Sequence, residues 1–558
     1  MEVSLVNPYV AAAISALFNN TKDSDCVIVL YKEAEGSEPS LKQRRLEDGD
    51  VEPGASNGFG DPLPGHQFVL RHASDWFEAQ LERWNSSEGQ VHSKDVSPAA
   101  DGSKSDADSR PVLRIPLGSE EEVPSTHAAI QFAYTGRVQA STVRQMLEVR
   151  RQGAYLQVKG CADACDAKLK AAVEGSGGNG VDLNHPPAAL QLYACSALWP
   201  DLTDPSFTAV MASAKPQLVS YFGDALRVLN TPSLRQQLLD LPAVAVEALL
   251  ESDSFGTDSE SSVLLLLAAW MKVNYDKTDK AARGRLCQRV RRLHLSKSYV
   301  YDILPALAQG YEVSPNKPAG WFQMTFTTAA FLGRLYGSTE EEHERLLEEK
   351  KERVSGFPRS KAYSAVSRRQ CLPEEGLTYD WFVTQEQLEE KLGQLNPGSH
   401  ENVRVTLVNG MKAVTAHGFE WQVTLSYSPG SEAAGLNLSC QIPAAYTPHK
   451  SLYVRQRIPP MPSISAMLEV DRWRNGERTE GVASSFDVEE LLTVGNYWGN
   501  DDGLPLQRPP QHGAARAGGD AGGNARGGQG STLAAAWSEY LHDGKITGRI
   551  VLLRPDTN

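Results

Sequence analysis

Tyr155-Leu156-Gln157-Val158-Lys159-Gly160-Cys161, running on as ADACDAKL to Leu169, sets tyrosine, leucine, valine and cysteine where the apolar face of a helical segment needs them. Upstream, Thr142 is placed to cap a helix reaching Arg151, and Thr135-Gly136 ends a helix that begins at His127. Residues 112–117, VLRIPL, alternate as a strand does. Ser74 can cap a helix carrying Trp76, Phe77, Leu81 and Trp84, and residues 64–70 read as a short strand before it. Residues 24–31, SDCVIVLY, form a β-branched run expected to be a buried strand. Val10, Ile14, Leu17 and Phe18 repeat at helical spacing over residues 8–18. Between these elements, residues 33–63 and 85–110 turn to Glu, Asp, Gly, Pro and Ser, and are expected to be disordered insertions.

This succession resembles a BTB/POZ domain. "SDCVIVL" is similar to the family's first strand. "GHQFVLRHASDWFEAQL" is similar to its H-x-x-V-L-x-x-x-S-x-x-F block, with His66, Val69, Leu70, Ser74 and Phe77 in place. "AIQFAYTGRV" resembles the family's F-x-Y-T-G-x-V helix end, and the opening stretch resembles its closing helix pair. The resemblance implies an α/β domain over residues 1–172 that dimerises and binds a cullin-3 type scaffold. It further implies contacts to the cullin at Val123, Ile130 and Tyr134, and a buried polar pair of Asp25 with His66. The loop 117–124, LGSEEEVP, departs from the hydrophobic-x-Glu motif that many cullin-binding members carry. The apolar face of Val10, Ile14, Leu17 and Phe18 suits a self-complementary dimer interface, or else packs on its own core.

A linker is expected at 173–186. Its Gly175-Ser176-Gly177-Gly178-Asn179-Gly180 matches G-x-G-x-x-G, but it follows a helix and runs into Pro186-Pro187, a context no dinucleotide site uses. Residues 187–370 read as helical. Within them, LPAVAVEALLESD (241–253), Ser259-Glu260, a Trp270-bearing helix and Arg289-Val290-Arg291-Arg292-Leu293 resemble the BACK domain that follows BTB in many adaptor proteins. Glu260 belongs in a helix's first turn, where the dipole favours a carboxylate. The arginines of 283–292 alternate with Leu286, Val290 and Leu293, and are expected to form a solvated helix face. After Pro373 the period changes to two: residues 379–383, 403–407, 419–425, 435–440, 464–470 and 545–553 read as strands of an antiparallel β-sandwich over 374–558, interrupted by a low-complexity insertion at 505–530. That region resembles MATH/TRAF-like sandwiches and the C-terminal domain of plant light-response BTB-BACK proteins. The expected fold class is therefore α+β multidomain.

The chain has 558 residues, 41% hydrophobic and 22% charged, ordinary for globular proteins and, at about 150 residues per domain, enough for three or four. Its net charge of −14 argues against nucleic acid or an anionic membrane as the main partner. Its seven cysteines, without a C-x-x-C pair, are expected to be reduced and mostly buried, and the protein intracellular, in nucleus and/or cytoplasm. There is no G-x-S-x-G, Walker A, H-E-x-x-H or kinase motif, so neither catalysis nor a cofactor is expected. Aromatics such as Trp421, Trp473, Trp498 and Trp537 read as core rather than as a sugar platform. The function implied is a non-catalytic adaptor that recruits an unknown protein substrate to a cullin-3 RING E3 ubiquitin ligase. The second reading is a BTB homodimeric scaffold or transcriptional co-regulator with no part in ubiquitination.

Overall fold

The computed structural model describes residues 7–32, 58–91, 110–175, 186–353, 361–364, 366–393, 395–396, 399–446, 461–486, 493–507 and 535–554. The chain divides into two compact units, 1–218 and 219–558. The expected insertions lie largely outside the described residues, as does most of the glycine linker.

The first unit opens with α1 (Pro8–Ser15), β1 (Cys26–Lys32), β2 (Leu63–Gly65), α2 (Gln67–Ala73) and α3 (Asp75–Val91). It continues with β3 (Val112–Leu117), α4 (Val123–Thr135), α5 (Val143–Tyr155), α6 (Cys161–Gly175) and α7 (Ala188–Ala194), and α8 (Pro205–Phe222) carries the chain onward. Its sheet has the order β2-β1-β3, with β1 antiparallel to β2 and parallel to β3. Alternation along β1 turns Cys26, Ile28 and Leu30 inward; Leu113, Ile115 and Leu117 do the same on β3, and Phe77 and Leu81 of α3 join the same core.

Several expectations need correction here. The strand expected at 64–70 is only β2; Phe68-Val69-Leu70 are helical, because Asp25 Oδ1 accepts the Gln67 N–H at 2.7 Å and so caps α2. α1 stops at Ser15, so Leu17 and Phe18 lie in the turn after it. α3 runs to Val91, into the segment expected to be an insertion. The opening stretch is not one helical segment. α5 ends at Tyr155, which is 45% exposed, and α6 begins at Cys161. Between them Gln157 and Gly160 take positive φ, while Val158 bridges to Ser74, whose hydroxyl donates to Leu156 O at 2.5 Å. The turn lets α6 fold back on α5, and Gly153 is where they meet: a Cβ there would stand 2.5 Å from Cys161 Sγ.

An ion network ties these helices to α8. Arg150 grips Asp166 through two bonds of 2.7 and 2.9 Å, and Nη2 also reaches Asp204 at 2.6 Å; Ser206 donates to both carboxylates. Arg150 and Asp166 are almost fully buried, so neither can be removed without stranding the other's charge.

The second unit begins with α9 (Ala225–Asn230), α10 (Pro232–Leu239), α11 (Ala243–Glu251), α12 (Glu260–Asn274) and α13 (Lys280–Gln288). α14 (Leu304–Val313), α15 (Phe326–Tyr336) and α16 (Glu340–Arg353) complete the helical part. Then come β4 (Leu377–Thr384), α17 (Gln385–Leu392), β5 (Glu401–Arg404), β6 (Thr406–Leu407), β7 (Val414–Ala416), β8 (Phe419–Tyr427) and β9 (Ala433–Gln441). Last are β10 (Ala466–Arg474), β11 (Glu477–Phe486), β12 (Tyr497–Pro505), β13 (Leu541–His542) and β14 (Lys545–Leu552). Among the described residues one sheet has the order β11-β10-β14-β4-β6, with β13 on β14, and the other β12-β9-β8-β5, with β7 on β8; every pairing is antiparallel. β14, near the end of the chain, pairs with both β10 and β4 and is therefore central to its sheet. Four strands are not expected from sequence: β7 and β13 are only three and two residues long, and β11 and β12 end their sheets and carry few apolar residues, so no period of two marked them.

Replacing Asp166 by Asn in the full chain should cost the first unit about 3–5 kcal/mol, read as a shifted denaturant transition in that unit. The Arg150 bond holds Asp204 below the usual carboxylate range. Its contribution is thus present above the unfolded pKa and is lost as pH falls through the folded one. Acid titration of stability below about pH 4 should be shallower in Asp204→Asn.

Candidate functional site

Catalysis would need convergent nucleophiles, bases or ligands. Among the described residues no three His, Cys, Asp or Glu side chains gather at metal-ligating distance, and no helix is long and apolar enough to cross a membrane.

In the first unit the expected Asp25–His66 pair does not form. Asp25 is exposed and caps α2, while buried His66 turns to Tyr134 and to Lys22 O, its Nε2 lying 3.1 Å from that carbonyl. The Tyr134 hydroxyl accepts the His66 backbone N–H at 3.0 Å, which joins α4 to the start of α2. Burial, opposed in part by that bond, pushes the Tyr134 phenol well above its ordinary range. Beside it, burial and the Asp25 charge push the Cys26 thiol up to about 12. Tyr134 at 4% exposure and Ile130 at 1% are core residues, which leaves Val123, half-buried, as the expected cullin contact that a partner can reach. Val123 begins α4, beside a cleft of about 500 Å3 whose walls include Pro124, Ala128, Gln145, Glu148 and Lys168. The expected dimer face is divided. Ile14, Leu17 and Phe18 pack on the unit's own core, Phe18 against the Tyr134 ring at 5.7 Å, whereas Val10 and its neighbour Tyr9 are exposed.

In the second unit the informative stretch is Asp258-Ser259-Glu260-Ser261-Ser262, at the start of α12. Each side chain there has a separate task. Ser259 caps the helix by accepting the Ser261 N–H. Ser261 exchanges bonds with Ser296 through its hydroxyl and the Ser296 N–H, at 3.0 and 3.1 Å. Glu260, expected at a helix start and found there, is almost wholly buried: it accepts the Arg291 N–H at 2.8 Å and Arg368 Nε at 2.9 Å. Arg368, equally enclosed, also donates to the carbonyls of Leu250, Ser252 and Arg289. Asp258 and Ser262 face the β-region, where they accept the His417 and Gly418 N–H groups at 2.6 and 3.0 Å.

His417 and Gly418 form the tight turn between β7 and β8, both at positive φ, and Tyr299 donates its hydroxyl to Gly418 O. Burial pushes the Tyr299 phenol well above its usual pKa, which keeps it a neutral donor. A Cβ on Gly418 would strike that hydroxyl at 2.4 Å. Further along, Asn230 donates to Thr415 O and accepts the Thr415 N–H, both at 2.7 Å. The helical part and the β-region of this unit are thus bolted together at these places, and again where Ser298 donates to Met461 O and Lys272 to Ala444 O.

The arginine stretch is corrected as well. Arg285 and Arg289 pair with Glu247 at 3.0 Å, Arg283 lies over the Tyr275 ring, and Arg291 and Arg292 are buried, so it is not a solvated face. Among the tryptophans, Trp421 and Trp537 are buried in the core, whereas Trp473, stacked on His542, and Trp498 are half-buried. Nothing in the residue pattern pointed to Arg368 as the partner of Glu260, because the two are far apart in sequence and Arg368 lies in an irregular strap.

With this geometry in hand, comparison with known families is informative. Residues 226–305, from α9 to the start of α14, match the family described as BACK, BTB And C-terminal Kelch. The match supports a BTB-BACK protein. No curated protein matches the chain significantly.

Glu260→Gln in the full chain should destabilise the second unit by about 3–5 kcal/mol, since it leaves Arg368 buried without its counter-charge. Gly418→Val should be at least as damaging, while Tyr299→Phe should cost about 1 kcal/mol, all read from denaturant unfolding of the unit.

Proposed function

We propose that this protein is a BTB-BACK adaptor that dimerises and recruits a protein substrate to a cullin-3 type RING E3 ubiquitin ligase, without catalytic chemistry of its own. The BACK match at residues 226–305 is the observation that carries the proposal. On this reading the first unit is a BTB/POZ domain. Exposed Tyr9 and Val10 supply the outer part of a two-fold interface, and Val123 with the adjoining cleft contacts the cullin. The β-region, as a MATH/TRAF-like sandwich or the related domain of plant light-response BTB-BACK proteins, holds the substrate, in nucleus, cytoplasm or both. Within its own unit it is joined to the BACK helices through the bonds of Asp258, Ser262, Tyr299 and Asn230.

A homodimeric scaffold or transcriptional co-regulator is the second reading, favoured by the acidic loop 117–124, which lacks the hydrophobic-x-Glu motif. The two separate cleanly. The full chain should pull down cullin-3 at micromolar concentration, and Val123→Asp should abolish capture while the melting temperature and dimer mass hold. A dimer with no cullin affinity would reject the adaptor reading. Tyr134→Ala is a poor test, because it removes a core residue and its bond to His66.

A further inference from the structure

Arg292 is 8% exposed, yet no carboxylate pairs with it among the described residues. Its neighbours Arg289 and Arg291 each have an acid, Glu247 and Asp253. Arg292 has instead the faces of two rings: its guanidinium lies over Phe322, 5.7 Å from the centroid, and over Tyr363, 5.6 Å from the centroid. Nη1 reaches the Tyr363 hydroxyl at 3.4 Å, Nε is enclosed without an acceptor, and Nη2 has none among the described residues. Ring faces compensate a buried cation only in part. A guanidinium so placed is poised for an anion.

A cleft lies beside it. About 370 Å3 in volume, it is lined by Arg292 together with Leu293, Val300, Leu332, Leu335 and Tyr336. The volume falls in the range of small-molecule sites, and the lining joins a mostly apolar wall to one cation, the usual composition of such a site. Exposed Glu340 stands at the rim, where a second negative charge on a ligand would meet repulsion. His343 also contributes, but its Nδ1 is occupied by Leu335 O at 3.2 Å.

We propose that this cleft binds a small amphipathic monocarboxylate, its carboxylate on Arg292 and its apolar body against Leu332, Leu335 and Tyr336. A single charge is specified by the one free Nη2 and by Glu340. The apolar wall excludes small hydrophilic anions. This site is independent of cullin or substrate capture.

Titration calorimetry on the full chain, with octanoate, octanol and acetate as probes, tests the proposal. Octanoate should bind saturably at one site per chain, about tenfold tighter than octanol, and acetate should not bind measurably. Glu340→Gln, at an exposed position, should tighten octanoate severalfold and leave octanol unchanged. Arg292→Met should erase the preference for octanoate over octanol. Equal affinity for octanoate and octanol, no saturable binding of octanoate, or an octanoate affinity indifferent to Glu340→Gln would each overturn the proposal. Should Arg292→Met not fold, the probe comparison and the Glu340 variant decide alone.

Discussion

The Glu260 carboxylate and the Arg368 guanidinium sit in the second unit almost entirely out of water, 2.9 Å apart. Neither charge could be there alone, because an isolated buried ion costs several kcal/mol even after the surroundings relax. The pair is sustained because both groups have further hydrogen-bond partners. Glu260 also takes the Arg291 N–H, and Arg368 spends its other donors on carbonyls of Leu250, Ser252 and Arg289. One ion pair therefore gathers the end of α11, the start of α12, the chain after α13 and the strap leading to β4. Arg369 and Cys371 continue that strap by bonding to Asp253 and Thr257. The path from helices to sheets is held by main-chain bonds rather than left as a tether.

The same few residues of α12 reach the sheets directly, through Asp258 and Ser262 to the His417–Gly418 turn. Polar side chains do this better than apolar ones because turn N–H groups have no partner within the strand ladder and must find one if buried.

Much of this was legible in the residues. The order of strands and helices in the first unit, the Thr142 and Ser74 caps, the helical stretch after residue 187 and most β-region strands follow from periodicity and capping chemistry. The BACK-like stretch is identified as such by its own pattern, and a family match supports it. Three of the failures depend on contacts distant in sequence. Asp25 caps a helix that starts beyond an insertion, so it reads as a core partner of His66 until the fold is seen. Ile130 and Tyr134 belong to a helix with apolar residues on more than one side, and only packing decides which side is inward. The arginines of 283–292 look solvated because their partners, Glu247, Asp253 and the Tyr275 ring, lie outside the stretch.

The central claim is that residues 219–558 act as one cooperative body centred on Glu260. Native-state hydrogen exchange by mass spectrometry on the full chain tests it most directly. Amides of residues 258–262, of the strap 368–371 and of the turn at 417–418 should exchange together, through a single opening whose free energy equals that of unfolding the unit. Exchange at the strap or the turn well ahead of α12 would contradict the account, because it would make the β-region a separate domain resting loosely on the helices.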